Sequence, residues 1–196
     1  RDPFLAATER DRKNGIALGT GTAMRKRLVQ GGYLALYKVK PQGRGGEITL
    51  TEVTDKGWTE LRLRKVSVNK PGGRGGFLHT FWQAAIRDWA KSRWPEATVR
   101  IEGTVNGKAI DVLAETEGLE AFEVVMNGGE WASQIKEVSN IVKDIEVAGI
   151  TKVSICAEDE QTLTRIKEHL LRECGTDFIG NHQGKVQWCL LSEFLK

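Results

Sequence analysis

Asp111 in "AIDVLAE" and Glu123 in "AFEVVMN" are carboxylates set in otherwise apolar runs, with eleven residues between them. Burying an ionised carboxylate in such a run requires a cation or a set of hydrogen bonds to offset its lost hydration. Two carboxylates on neighbouring strands offer hard oxygen ligands to a divalent metal, and a metal so held can activate water. The alternative is that both side chains bond loop amides or face solvent at strand ends.

The elements that must position them follow from hydrophobic spacing. "GFLHTFWQAAIRDWAKSRW" places Phe77, Phe81, Trp82, Ala85, Ile86 and Trp89 at helical intervals, and Pro95 ends the run. "ATVRIEG", "TVNGKAIDVLAE" and "GLEAFEVVMN" read as three antiparallel strands, with tight turns at Asn106–Gly107 and Glu117–Gly118. Apolar residues at 131, 135, 138, 142 and 145 predict an amphipathic helix stopped by Gly149. "TKVSICA" has the short apolar character of a buried strand. Asp159 can cap a further helix with Leu163, Ile166 and Leu170 inward, and "KVQWCLLSEFLK" closes the chain as one more strand. Strand alternation puts Glu123 and Val125 on one face and Phe122, Val124 and Met126 on the other.

The order α-β-β-β-α-β, followed by α-β, resembles the core of the PD-(D/E)xK restriction-endonuclease-like superfamily over residues 77 to 157. The resemblance implies a three-layer αβα domain with a central mixed sheet. It also implies roles for Asp111 on the second strand and Glu123 on the third as ligands of a divalent metal, Mg2+ if the site is active. Phosphodiester cleavage needs charge neutralised on the phosphoryl oxygens and a deprotonated water, and Mg2+ on carboxylate oxygens serves both needs. The family's lysine falls at Val125, giving "EVV" in place of E-x-K, and the first helix has Leu78 where many members carry a metal-binding Glu. Lys136 or Gln134 on the following helix stands where some members relocate the lysine, and Glu102 is a candidate additional acid.

Residues 1 to 75 carry 16 Lys and Arg against 7 Asp and Glu, whereas residues 76 to 196 carry 13 against 19, so net charges of +9 and −6 make up the overall +3. The change falls at "NKPGGRGG", a Pro/Gly-rich linker signal. Three regions are therefore expected: a first domain over 1–68, a linker over 69–76 and a second domain over 77–196. In the first, "TAMRKRLVQGGYL" predicts a basic helix starting at a Thr and stopped by Gly31 and Gly32. "YLALYKVK", "PQGRGG" and "EITLTE" predict a hairpin with a basic tip, and "TDKGWTELRLR" a further helix with Trp58 and Leu61 as core candidates and Leu63 as a further one. This part resembles the later portion of a winged-helix domain. The resemblance makes Arg25, Lys26 and Arg27 on the helix and Lys38, Lys40 and Arg44 on the wing the candidate contacts to double-stranded DNA. A solvated basic surface or a winged helix used for protein docking is the alternative.

At 40% hydrophobic and 28% charged residues the composition is that of a globular protein, so the fold class expected is α/β with mixed α+β character. No apolar run is long enough to span a membrane and no signal peptide is evident, so a cytoplasmic location is expected. Cys156, Cys174 and Cys189 are odd in number and lack a C-x-x-C pair, which indicates neither a disulfide framework nor zinc. His79, His169 and His182 have no metal-ligand spacing, although His79 is placed to meet a phosphate. Trp82, Trp89, Trp94 and Trp131 match the apolar stripes. Phosphate-binding loops, dinucleotide fingerprints and a nucleophile–His pair are lacking. The chain begins with Arg, so an upstream segment is expected. Three functions remain: a DNA-associated binding or assembly module with a degenerate nuclease-like domain, a metal-dependent DNA endonuclease using Asp111, Glu123 and Lys136, or a protein-interaction tail of a larger DNA-processing complex.

Overall fold

Val, Ile and Leu at alternate positions give strands and three-to-four spacing gives helices, and both periods appear in the fold. The computed structural model describes residues 4–42, 46–66, 75–126 and 131–195, without the side chains of 131–135. The chain is a mixed α/β protein that divides into two compact units, 1–78 and 79–196. Arg44, most of the expected linker and the side chains of Trp131 and Gln134 lie outside the described residues. Among the described residues no helix is long and apolar enough to cross a membrane.

The first unit holds helices α1 (Ala7–Lys13) and α2 (Leu18–Gln30), a β1 (Leu34–Val39) and β2 (Ile48–Val53) antiparallel pair, and α3 (Asp55–Leu63). Helix α2 starts at Leu18 after Ala17, with no side-chain cap, and not at a Thr as expected. Its Met24 and Leu28 are 48% and 40% exposed, and Leu63 of α3, a core candidate by spacing, is 73% exposed. The buried contact of α2 is instead Gly21, which lies against the Asp11 carboxylate while Arg25 pairs with that same carboxylate. Gly32, at φ 73, turns the chain out of α2. Thr54 caps α3 by accepting from the Gly57 N–H at 3.1 Å and donates its own hydroxyl to the Gly32 carbonyl at 2.6 Å.

In the second unit, α4 (Phe77–Arg93) precedes a five-stranded sheet in the order β3 (Thr98–Val105), β4 (Lys108–Glu115), β5 (Leu119–Val125), β6 (Ile150–Ala157), β7 (Val186–Leu190). The first three strands pair antiparallel and the last three parallel, the parallel crossovers being made by α5 (Trp131–Glu146) and α6 (Glu160–Asn181). Asn106 and Gly107 both take positive φ in the β3–β4 turn, as a two-residue hairpin requires. Asp159 caps α6 by accepting from the Thr162 N–H at 2.7 Å. That helix runs past Cys174 to Asn181, with a kink at Gly175. Only Val186–Leu190 of the last expected strand is extended, and a 3-10 turn, Leu191–Phe194, follows.

Alternation along the sheet separates two sets of neighbours. Ala121, Val125, Val153, Ile155 and Ala157 form one core with Val138, Ile141 and Ile145 of α5 and Leu163, Ile166 and Leu170 of α6. Phe122 on the opposite face meets Trp89 of α4 and Phe194 edge-on at about 6 Å, and those two rings meet at 5.0 Å.

A Cβ at Gly57 would lie 2.4 Å from the Tyr33 carbonyl oxygen, whereas one at Gly19 would meet nothing within 4 Å. Gly57→Ala is therefore expected to lower the stability of the first unit by about 1–3 kcal/mol, and Gly19→Ala to raise it by about 0.5–1 kcal/mol through helix propensity. Urea unfolding of the two variants, followed by circular dichroism, checks the opposite signs.

Candidate functional site

The ladder between β4 and β5 ends at Val112–Phe122. In the same register the next pair would be Asp111–Glu123, and there the side chains take over the backbone's bonds. Asp111 Oδ2 accepts from the Val124 N–H at 2.9 Å, and Glu123 Oε1 accepts from the Asp111 N–H at 3.3 Å. Glu102, opposite Asp111 on β3, sits at φ 51, a left-handed conformation that interrupts the ladder on that side too. The two carboxylates thus occupy a local opening of the sheet, and their position follows from that opening.

Helix α4 supplies two more partners of Asp111. Gln83, fully buried, donates from Nε2 to Oδ1 at 3.0 Å, and His79, one turn earlier, places Nε2 at 3.2 Å from Oδ2. Burial opposes the imidazolium of His79, but the Asp111 hydrogen bond and the charges of Asp111, Glu137 and Glu102 outweigh it and raise its pKa. His79 Nδ1 and Gln83 Oε1 are buried without a hydrogen-bond partner.

Helix α5 brings further acids. Burial, the charges of Asp111 and Asp144 and a hydrogen bond to Asp144 hold the Glu123 carboxyl well above the usual range. Asp144 is raised as well, by burial first, although its bond with Glu123 works in the other direction. Glu123 and Asp144 thus share a hydrogen bond, and both hold their protons more tightly than exposed carboxyls do. Glu137, the residue after Lys136 on α5, is pushed up to about 7 by burial, against the pull of Arg165 and His79.

His79, Asp111, Glu123, Val125, Lys136 and Glu137 all border a cavity of about 250 Å3. It is an acid-rich pocket with a histidine in its wall and a carboxyl poised near neutrality. Such a set can exchange protons and accept hydrogen bonds. It does not fit a divalent cation as placed: both Asp111 oxygens are taken by donors, and among the described residues no group of three or more His, Cys, Asp or Glu is arranged around a metal. Val125 belongs to the core beneath the cavity, and Lys136 lines it with an exposed side chain.

In the first unit the expected DNA contacts divide. Arg25 is turned inward, bonded to Asp11 with 14% of its side chain exposed, and Lys38 pairs with Glu47 at 2.8 Å. Lys26, Arg27 and Lys40 are exposed. Gln83, Glu137 and Asp144 were missed from sequence. Gln83 follows His79 by one helical turn and Asp144 follows Glu137 by two, and polar residues recurring on a helix's buried side were the available signal.

The chain matches no family model, no curated protein and no solved structure.

Below pH about 4.3, where a carboxyl of the unfolded chain holds its proton, the raised pKa of Glu137 contributes its full stabilisation. That contribution is lost as pH rises through about 7, because the folded chain must then give up a proton it binds more tightly. Glu137→Gln, which cannot ionise, is expected to unfold at a higher temperature than the parent at about pH 8, with the difference shrinking towards about pH 5. Thermal melts at both pH values measure this.

Proposed function

We propose that the protein is a DNA-associated binding or assembly module, in which a winged-helix-like first unit contacts double-stranded DNA and a PD-(D/E)xK-like second unit is a degenerate nuclease that does not cut. The observation that carries the reading is the occupation of the two carboxylates by the protein's own groups. Asp111 is held by Val124, Gln83 and His79, and Glu123 by the Asp111 amide and a hydrogen bond with Asp144. The element order α4-β3-β4-β5-α5-β6 is the order that the resemblance requires, and Val125 replaces its lysine with a side chain packed in the core.

The charge of the first unit supports the DNA contact. Its net +9 attracts phosphates, and Lys26, Arg27 and Lys40 are exposed to meet them. The net −6 of the second unit disfavours nucleic acid near the acidic pocket unless the first unit holds it. The division of charge suits recruitment by one unit and a different task for the other, including docking in a larger DNA-processing complex.

The cavity that brings Asp111, Glu123 and Lys136 together favours a second reading, a Mg2+-dependent endonuclease with a relocated lysine. A single set of assays separates the two. Duplex DNA is expected to bind with strong salt dependence and to remain uncut in Mg2+ or Mn2+. Changing Lys26, Arg27 and Lys40 together to Ala is expected to flatten the log–log salt slope by roughly 2 to 3. Cleavage of supercoiled plasmid that Asp111→Ala abolishes would overturn the first reading in favour of the second. Binding insensitive to salt would remove the DNA role.

A further inference from the structure

A second cavity of the second unit lies on the other face of the sheet from α5 and α6. It measures about 480 Å3 and is bordered by Trp89, Arg93 and Trp94 of α4, by side chains of β5, β6 and β7, and by the closing 3-10 turn. That volume is in the range of pockets that hold small organic ligands, roughly 300–1,000 Å3.

Its floor is chemically unusual. Parallel strands in the middle of a sheet with helices on both faces are ordinarily apolar on both sides. Here Glu120 and Phe122 of β5, Lys152 and Ser154 of β6 and Gln187 and Cys189 of β7 point into the cavity, and the register places Glu120 opposite Lys152 and Ser154 opposite Gln187. Gln187 lies on the edge strand and Lys152 is half-exposed, but Glu120 and Ser154 are on interior strands, where the cost of a polar group is recovered when something with matching polar groups sits on it.

Among the described residues Glu120 lacks such a match: its side chain is 17% exposed, its Oε2 is buried without a hydrogen bond, and the Lys152 ammonium stands off at 4.0 Å. An acceptor pair beside a cationic donor is the complement of a planar edge that carries two adjacent N–H donors followed by a carbonyl. Guanine has this edge: N1–H and the N2 amine face a carboxylate together, and O6 lies next to them for an ammonium. Adenine, cytosine and uracil offer one donor group at most beside an acceptor, so they satisfy one carboxylate oxygen and leave the other bare. The aromatic walls suit a flat ring. Trp89, Phe122 and Phe194 border the space, and the Arg93 guanidinium lies 5.8 and 5.7 Å from the Trp89 and Trp94 ring centres, where it can turn to a phosphate.

We infer that this cavity is a guanine-binding site, in which Glu120 and Lys152 read the base edge, the aromatic walls hold the ring and Arg93 meets the attached phosphate. The site is independent of the acidic pocket and of the DNA reading. The base reaches it either as a free nucleotide or as a base turned out of a nucleic-acid strand, since both present the same edge.

Calorimetric titration of the full chain with GMP, IMP, AMP, CMP and UMP, and with single-stranded oligonucleotides carrying one guanine or none, tests the inference. GMP is expected to bind at least tenfold more tightly than AMP, CMP and UMP. IMP, which lacks the N2 amine, is expected to fall between them. Glu120→Gln, whose amide presents a donor where the carboxylate accepts, should weaken GMP by at least tenfold with an unchanged thermal melt, and Lys152→Met should weaken it too. Binding of the guanine oligonucleotide alone, abolished by Glu120→Gln, would support the site and assign the base to a strand. Equal binding of all four nucleotides, GMP binding indifferent to both variants, or no binding by any guanine ligand would overturn it. Duplex binding through the first unit would be untouched by either substitution, so the two readings fail separately.

Discussion

Where strands β4 and β5 part after Val112 and Phe122, the backbone loses its ladder partners and Asp111 and Glu123 supply substitutes. A buried N–H must find an acceptor, so the Val124 and Asp111 amides fix both carboxylates at the opening. Much of the local chemistry follows. Acids held this close cannot all be ionised cheaply once Asp144 joins them, and burial together with their mutual charge raises Glu123 and Asp144. The same constraint draws in Gln83 and His79 as donors to Asp111, while Glu137 across the cavity is raised by burial first and by the Asp111 charge only after it. The pocket is an electrostatic consequence of an interrupted sheet.

The second unit uses its two faces differently. On the side of α5 and α6, aliphatic residues fill the space, and the acidic pocket opens at the edge of that core. On the side of α4, aromatic rings crowd one end, while Glu120, Lys152, Ser154 and Gln187 line a larger cavity. Cys156 and Cys189 also meet on that face as register partners of β6 and β7. Burial pushes the Cys156 thiol well up, while its hydrogen bond to Cys189 lowers the latter. Both are free thiols. Their separation in sequence concealed an adjacency that parallel pairing creates.

The first unit has a small core, with Leu50, Val39 and Ala7 buried and the Asp11–Arg25 pair beside them. A buried ion pair fixes geometry more surely than it adds stability. Arg25 therefore contributes to the packing of α1 against α2, and the charge available to a polyanion lies on Lys26, Arg27 and Lys40. A run of three basic residues on a helix cannot all point the same way, because each step turns the side chain by about 100°.

The sequence by itself determined most of the elements, the mixed α/β class and the strand that carries each carboxylate, because periodicity, turn residues and caps act over a few residues. Short-range signals misjudged the start of α2, the reach of α6 and the extent of the last strand, where packing prevails over local preference. Tertiary structure alone decided what surrounds Asp111 and Glu123, since His79, Gln83, Glu137 and Asp144 reach them from two helices distant in the chain. It also decided that Arg25 turns inward and that polar residues of three strands share one cavity. Proton position, burial and pairing depend on distances between chain segments, and residue order constrains those distances only after the sheet and its helices have closed around them.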